Sequence, residues 1–82
     1  MPHTLSILLQ NEAGTLLRVA GLFATRSCNI DALTVRATDD PAIARMVLEV
    51  RGDAFALGRL VQKARRLVDV LEVEHAPRDT LA

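Results

Sequence analysis

The apolar residues of this chain switch spacing from two to about 3.6 and back, twice over, and that succession restricts the fold more than any single residue does. Leu5, Ile7 and Leu9 alternate with Thr4, Ser6 and Gln10, which predicts a half-buried strand. Asn11-Glu12-Ala13-Gly14 supplies turn chemistry. From Thr15, the residues Leu16, Val19, Ala20 and Phe23 follow helical spacing while Arg18 and Arg26 point away. Leu17, Gly21 and Ala24 are expected to widen that stripe, and the helix to run to about Ser27, ending before Asn29. Leu33, Val35 and Ala37 alternate with Thr34, Arg36 and Thr38 in a second strand, which Asp39-Asp40-Pro41 stops. Met46, Leu48 and Val50 mark a third strand. Asp53 then stands where a helix N-cap belongs, before Leu57, Leu60, Val61 and Ala64. Val68 to Glu74 reads as a fourth strand, although Val70-Leu71 breaks its alternation.

Strand, helix, strand, strand, helix, strand, with one apolar face per strand, predicts an antiparallel sheet covered by helices on a single side. Right-handed crossovers then give an α+β, ferredoxin-like βαββαβ arrangement with the first and third strands central. The second and fourth strands become edges that must be blunted or paired. The expected organisation is one domain over residues 1–75 and a tail over 76–82. A chain of 82 residues buries only roughly 60% of its unfolded surface, so a partner would help it. Phe23 and Phe55 are the only aromatic residues, which leaves the core to Leu, Val, Ile and Ala.

Composition also excludes functions. Ten basic residues balance ten acidic ones, and Trp and Tyr are absent. That removes the basic excess and the stacking platforms of nucleic-acid binders. A single cysteine leaves no disulfide framework, no multi-cysteine metal site and no paired-cysteine loop of a metal carrier. No apolar run approaches the ~20 residues of a membrane span, and no charged segment precedes a long apolar one as in a secretory signal. The expectation is a small, soluble, cytoplasmic domain.

Few residues invite chemistry. His3 and His75 fall on strands that the topology makes neighbours, yet no third ligand accompanies them, and they are expected as surface histidines. Cys28, at the end of an apolar helix, is expected as a small buried hydrophobe. Asp39 and Asp40 solvate a loop. Arg59, Lys63, Arg65 and Arg66 form a basic helix face, either merely solvated or docking an acidic partner. Neither a phosphate-cradling glycine loop nor a Ser-His-Asp set is present, so no catalytic role is expected. Asn11 and Gly14 open the first helix and Asn29 follows it. Free N–H groups at a helix start suit a carboxylate, and Asn offers both donor and acceptor to an amino acid's head group. The same residues are also ordinary turn and cap residues.

The segment from Asn11 to Phe23, Asn-Glu-Ala-Gly-Thr-Leu-Leu-Arg-Val-Ala-Gly-Leu-Phe, resembles the opening of the regulatory small subunits of acetolactate synthase (acetohydroxyacid synthase). Arg26 to Val35, Thr38 to Pro41, Arg45-Met46, Gly52-Asp53 and Lys63 to Leu71 carry the likeness on, over roughly residues 4 to 74. The resemblance implies an ACT domain that pairs side by side with a second copy and holds an effector amino acid at that homodimer interface. It implies a subunit that stimulates a catalytic (large) subunit and confers feedback inhibition by valine in branched-chain amino-acid biosynthesis. It also implies no cofactor in this chain, with thiamine diphosphate, Mg and FAD on the catalytic subunit. By position, Asn11, Gly14 and Asn29 match the effector-binding pattern, with Ala13 and Ile30 as neighbours. Many members carry a second C-terminal domain not found in these residues. Short forms differ in valine sensitivity, and retention of Asn11, Gly14 and Asn29 favours it. The alternative is a free-standing ACT-like amino-acid sensor acting on another enzyme.

Overall fold

The inward row of the first strand starts earlier than its aliphatic residues indicate. In the computed structural model, which describes residues 2–25 and 28–77, β1 spans Pro2–Gln10 and buries His3 together with Leu5, Ile7 and Leu9. It is followed by α1 (Ala13–Phe23), β2 (Cys28–Ala37), β3 (Ile43–Gly52), α2 (Ala54–Arg65) and β4 (Val70–Pro77). The sheet order is β2-β3-β1-β4 and every pairing is antiparallel. This is the ferredoxin-like arrangement that the period changes predict, with β1 and β3 central.

Aliphatic side chains fill the space between sheet and helices. Leu5, Ile7 and Leu9 of β1 and Met46, Leu48 and Val50 of β3 are almost wholly buried against Val19, Phe23, Leu57 and Val61. The Asp53 carboxylate accepts a hydrogen bond from the Ala56 N–H at 2.9 Å, capping α2 as expected. The helix α1 turns Val19 and Phe23 into the core with Leu16 and Ala20 packed against it, as its spacing predicts, but differs at Thr15, at Leu17 and in length. Thr15, Val19 and Phe23 are its buried positions, Leu17 is 74% exposed, and the helix stops at Phe23. Thr15 turns inward because its hydroxyl donates to Asp69 at 3.2 Å, a partner on the α2–β4 turn that local spacing does not reveal. The chain is needed earlier for the sheet: β2 takes up pairing at Cys28 opposite Gly52. Cys28 is buried as expected, but as the first residue of a strand, and burial pushes its thiol pKa up.

Two register shifts explain the irregular stretches. Leu8 faces Glu72 and Leu9 faces Val70, so Leu71 is the extra residue of a bulge and is exposed, while Val70 and Val73 stay buried. That accounts for the broken alternation. Val68, expected to begin the strand, is 92% exposed in the turn before it. The strand β4 also continues past Glu74, with Ala76 opposite Thr4 and Pro77 opposite His3; residues 78–82 of the expected tail lie outside the described residues. The second shift, at Asp31, resets the faces of β2, so that Ile30 and then Leu33 and Val35 point to the helix side.

Gly58 lies inside α2, and a Cβ built on it meets nothing within 4 Å. Close packing therefore does not require glycine there. The substitution Gly58→Ala is expected to stabilise the domain by about 0.5–1 kcal/mol, read as a rise of about 2–8 °C in Tm by circular dichroism.

Candidate functional site

The connection between β1 and α1 is held by backbone bonds on both flanks. The Gln10 N–H donates to the Asp69 carbonyl at 3.0 Å and the Asn11 N–H to the Ala42 carbonyl at 2.8 Å. These bonds tie the loop to the turn before β4 and to the β2–β3 hairpin. Asn11 Nδ2 donates to the Pro41 carbonyl at 3.1 Å, which fixes the side chain and leaves its Oδ1 as an acceptor on an exposed residue.

The start of α1 is open. Glu12 occupies the N-cap position without a side-chain cap bond, and the first turn carries no acidic residue. Leu16 is the first helix residue whose N–H donates to a carbonyl of this turn, that of Glu12 at 2.9 Å. The positive end of the helix dipole at Ala13 and Gly14 thus faces outward without a counter-charge from this helix. A Cβ on Gly14 would meet nothing within 4 Å, so the fold alone does not ask for glycine at this point. The nearest ion pair lies further along the helix, where Arg18 Nη1 meets Asp69 Oδ2 at 3.1 Å.

Asn29 and Ile30 lie elsewhere. They belong to the beginning of β2, not to a loop after the helix, and Asn29 faces Arg51 across the β2–β3 pairing. Asn11 sits beside the hairpin at the far end of β2, so about 25 Å of strand separates the two asparagines. The structure brings Asn11, Ala13 and Gly14 together and does not bring Asn29 or Ile30 to them. Around Asn29 it adds residues that sequence reasoning missed. Asn29 Nδ2 donates to Asp31 Oδ1 at 2.8 Å, and Arg51 donates through Nε to Asp31 Oδ2 at 2.7 Å and through Nη2 to Oδ1 at 3.0 Å. Asp31 in turn raises the Arg51 pKa by hydrogen bonding and then by charge. The two-residue spacing of Asn29 and Asp31 was the available signal; the partner on β3 was not.

The sheet edges differ. On β4, Arg65 Nη2 donates to the Val73 carbonyl at 3.1 Å, Leu71 forms the bulge, and Glu72 and Glu74 are exposed. A 470 Å³ concavity follows this edge, lined by Thr4, Ser6, Arg65, Val73, Glu74, His75 and Ala76, none of them a sequence-predicted binding residue. On β2, Leu33 and Val35 are 40% and 39% exposed although both point to the helix side. The histidines are not surface residues. His3 is 3% exposed because it continues the inward row of β1, and its Nδ1 lies 3.0 Å from Nε2 of half-buried His75. Among the described residues, no helix is long and apolar enough to cross a membrane.

A family described as the AHAS small subunit-like ACT domain matches residues 5–72. The acetolactate synthase small subunit of Haemophilus influenzae is 47% identical over 96% of this chain and 52% of its own length. The acetolactate synthase isozyme 3 small subunit of Escherichia coli is 48% identical over 89% of this chain and 45% of its own. The chain therefore spans about half the length of the curated relatives it matches. The crystal structure of the acetolactate synthase small subunit from Thermotoga maritima superposes with a TM-score of 0.76 at 35% identity, over 92% of this chain and 47% of that one. The ACT domain of a Chlorobium tepidum GTP pyrophosphokinase, 21% identical with a TM-score of 0.77 over 92% of this chain and 96% of that one, shares the fold.

Proposed function

We propose, since this chain belongs to the AHAS small subunit-like ACT domain family, that it is a non-catalytic regulatory module of acetolactate synthase. It stimulates the catalytic subunit, and valine bound where two copies meet reverses that stimulation. The observation that carries the reading is the placement of the two asparagines at opposite ends of one edge strand, β2. An effector the size of one amino acid cannot touch both within a chain. A two-fold axis through the middle of β2 removes the difficulty. Pairing about Leu33 and Thr34 sets Asn29 of one protomer opposite Thr38 of the other. It then stands beside the hairpin whose Pro41 carbonyl holds Asn11. Two equivalent pockets result, each with an open helix start for the carboxylate and asparagine oxygens for the ammonium. Partial exposure of Leu33 and Val35 supports pairing on this edge, as does the blunting of the other.

Reconstitution with an acetolactate synthase catalytic subunit tests the reading. The expected result is higher activity on adding this chain and a fall toward the unassisted rate on adding valine. Unchanged activity in both arms would overturn it. Because valine binds the dimer better than the monomer, it is also expected to lower the dimer dissociation constant in sedimentation.

A further inference from the structure

We propose that Asp31, clamped by Arg51, is a positioning residue that turns the Asn29 carboxamide oxygen toward the effector's ammonium group and so selects α-amino acids over analogues lacking it. This rests on the effector reading above and specifies what its pocket recognises. A carboxylate only accepts hydrogen bonds, so the group of Asn29 that faces Asp31 Oδ1 at 2.8 Å must be the NH₂. The orientation of an asparagine amide is otherwise ambiguous; here the network decides it. With its donor committed to Asp31, Asn29 presents an oxygen, to which an ammonium donates a charge-assisted hydrogen bond, a hydroxyl a weaker neutral one and a keto oxygen none.

The clamp matters for two reasons. The Arg51 fork occupies both carboxylate oxygens, at 2.7 and 3.0 Å, so the carboxylate is held in one orientation in front of Asn29. It also neutralises Asp31, leaving Asn29 as the group that meets the ammonium. The position of Asp31 at the register shift of β2 places it between a residue of its own strand and the cross-strand partner of that residue. Neither Asp31 nor Arg51 belongs to the sequence-derived binding set. Arg51 is well exposed, so the pair contributes little to stability, which separates its role from a structural one.

Calorimetric titration of the 82-residue chain with L-valine and with its 2-hydroxy analogue tests the assignment, beside thermal melts. The unsubstituted chain is expected to prefer valine. The variant Asp31→Ala is expected to bind valine roughly tenfold more weakly, with the preference over the hydroxy acid collapsing and Tm unchanged. Asp31→Asn keeps an acceptor that Asn29 and Arg51 can share, and is expected to restore most of the preference. An Asp31→Ala chain that keeps both affinity and preference would overturn the positioning role while leaving the effector reading intact. Failure of valine to bind the unsubstituted chain would remove the reading and this role with it.

Discussion

Mixing Asn11→Ala chains with Asn29→Ala chains is expected to restore valine binding that neither variant shows at wild-type strength alone. Each substitution removes a hydrogen bond to a charged head group, which costs about 1.5–3 kcal/mol, or roughly ten- to a hundredfold in affinity. In a mixed dimer, one pocket combines both substituted residues and the other combines both intact ones. Random exchange of equal amounts therefore leaves about one pocket in four fully intact. Titration calorimetry would show that fraction binding valine with the original constant. A pocket built within one chain predicts no recovery at all, since every pocket would then carry one defect. The separation of Asn11 and Asn29 along β2 is what makes the experiment decisive. Both residues are exposed, and loss of either side chain leaves the core untouched, so a folded but weakly binding variant is the expected starting material. Stimulation of the catalytic subunit is expected to survive in both.

What the sequence disclosed, and what it hid, follows the range of the interactions involved. The β1 and β3 alternations, the Asp53 cap and the Asp39-Asp40-Pro41 turn are local patterns, and each sits where its spacing places it. The end of α1 and the beginning of β2 are decided across the sheet. Pairing of Cys28 with Gly52 and of Asn29 with Arg51 claims residues that helical spacing assigns to a helix end and loop. The shifts at Asp31 and Leu71 are likewise properties of strand pairs; one strand read alone shows only a broken alternation. The loop half of the proposed pocket was legible because turn residues announce themselves. Its other half, Asn29 and Ile30, was expected after the helix and instead opens β2. The Asp31–Arg51 clamp was invisible, because charged residues 20 positions apart carry no mutual signal in a linear pattern.

Acidification below pH 6.5 is expected to weaken the domain, and the cause is the histidine pair. His75 Nε2 and His3 Nδ1 lie 3.0 Å apart, with ring centroids 5.0 Å apart, so a single proton is shared between two facing nitrogens. His3 Nε2 is buried with no partner. If His3 Nδ1 donates, that orphan atom is a bare lone pair; if His75 Nε2 donates, it is an unsatisfied N–H. Where His3 Nδ1 is the donor, a proton taken up at His75 Nε2 sets two N–H groups against each other and breaks the bond, which costs on the order of 1–3 kcal/mol. The His75 pKa is accordingly held below its ordinary value of 6.5, first by burial and then by the charges of His3 and Arg65. Arg65, from α2, is the cation facing it, and its guanidinium is already engaged by the Val73 carbonyl. The sign follows from linkage. The unfolded chain takes up a proton near pH 6.5 and the folded chain only at lower pH, so stability is complete above that value. It falls as pH drops toward the folded pKa, by at most about 1.4 kcal/mol per pH unit for one proton. Thermal melts between pH 7.5 and 5 are expected to show this loss, and His3→Leu/His75→Leu, which replaces both partners at once, is expected to flatten it. Because β4 is an edge strand held to the sheet only by β1, its amides near His75 are expected to lose exchange protection first. A slope that persists in the double variant would assign the acid sensitivity to other groups.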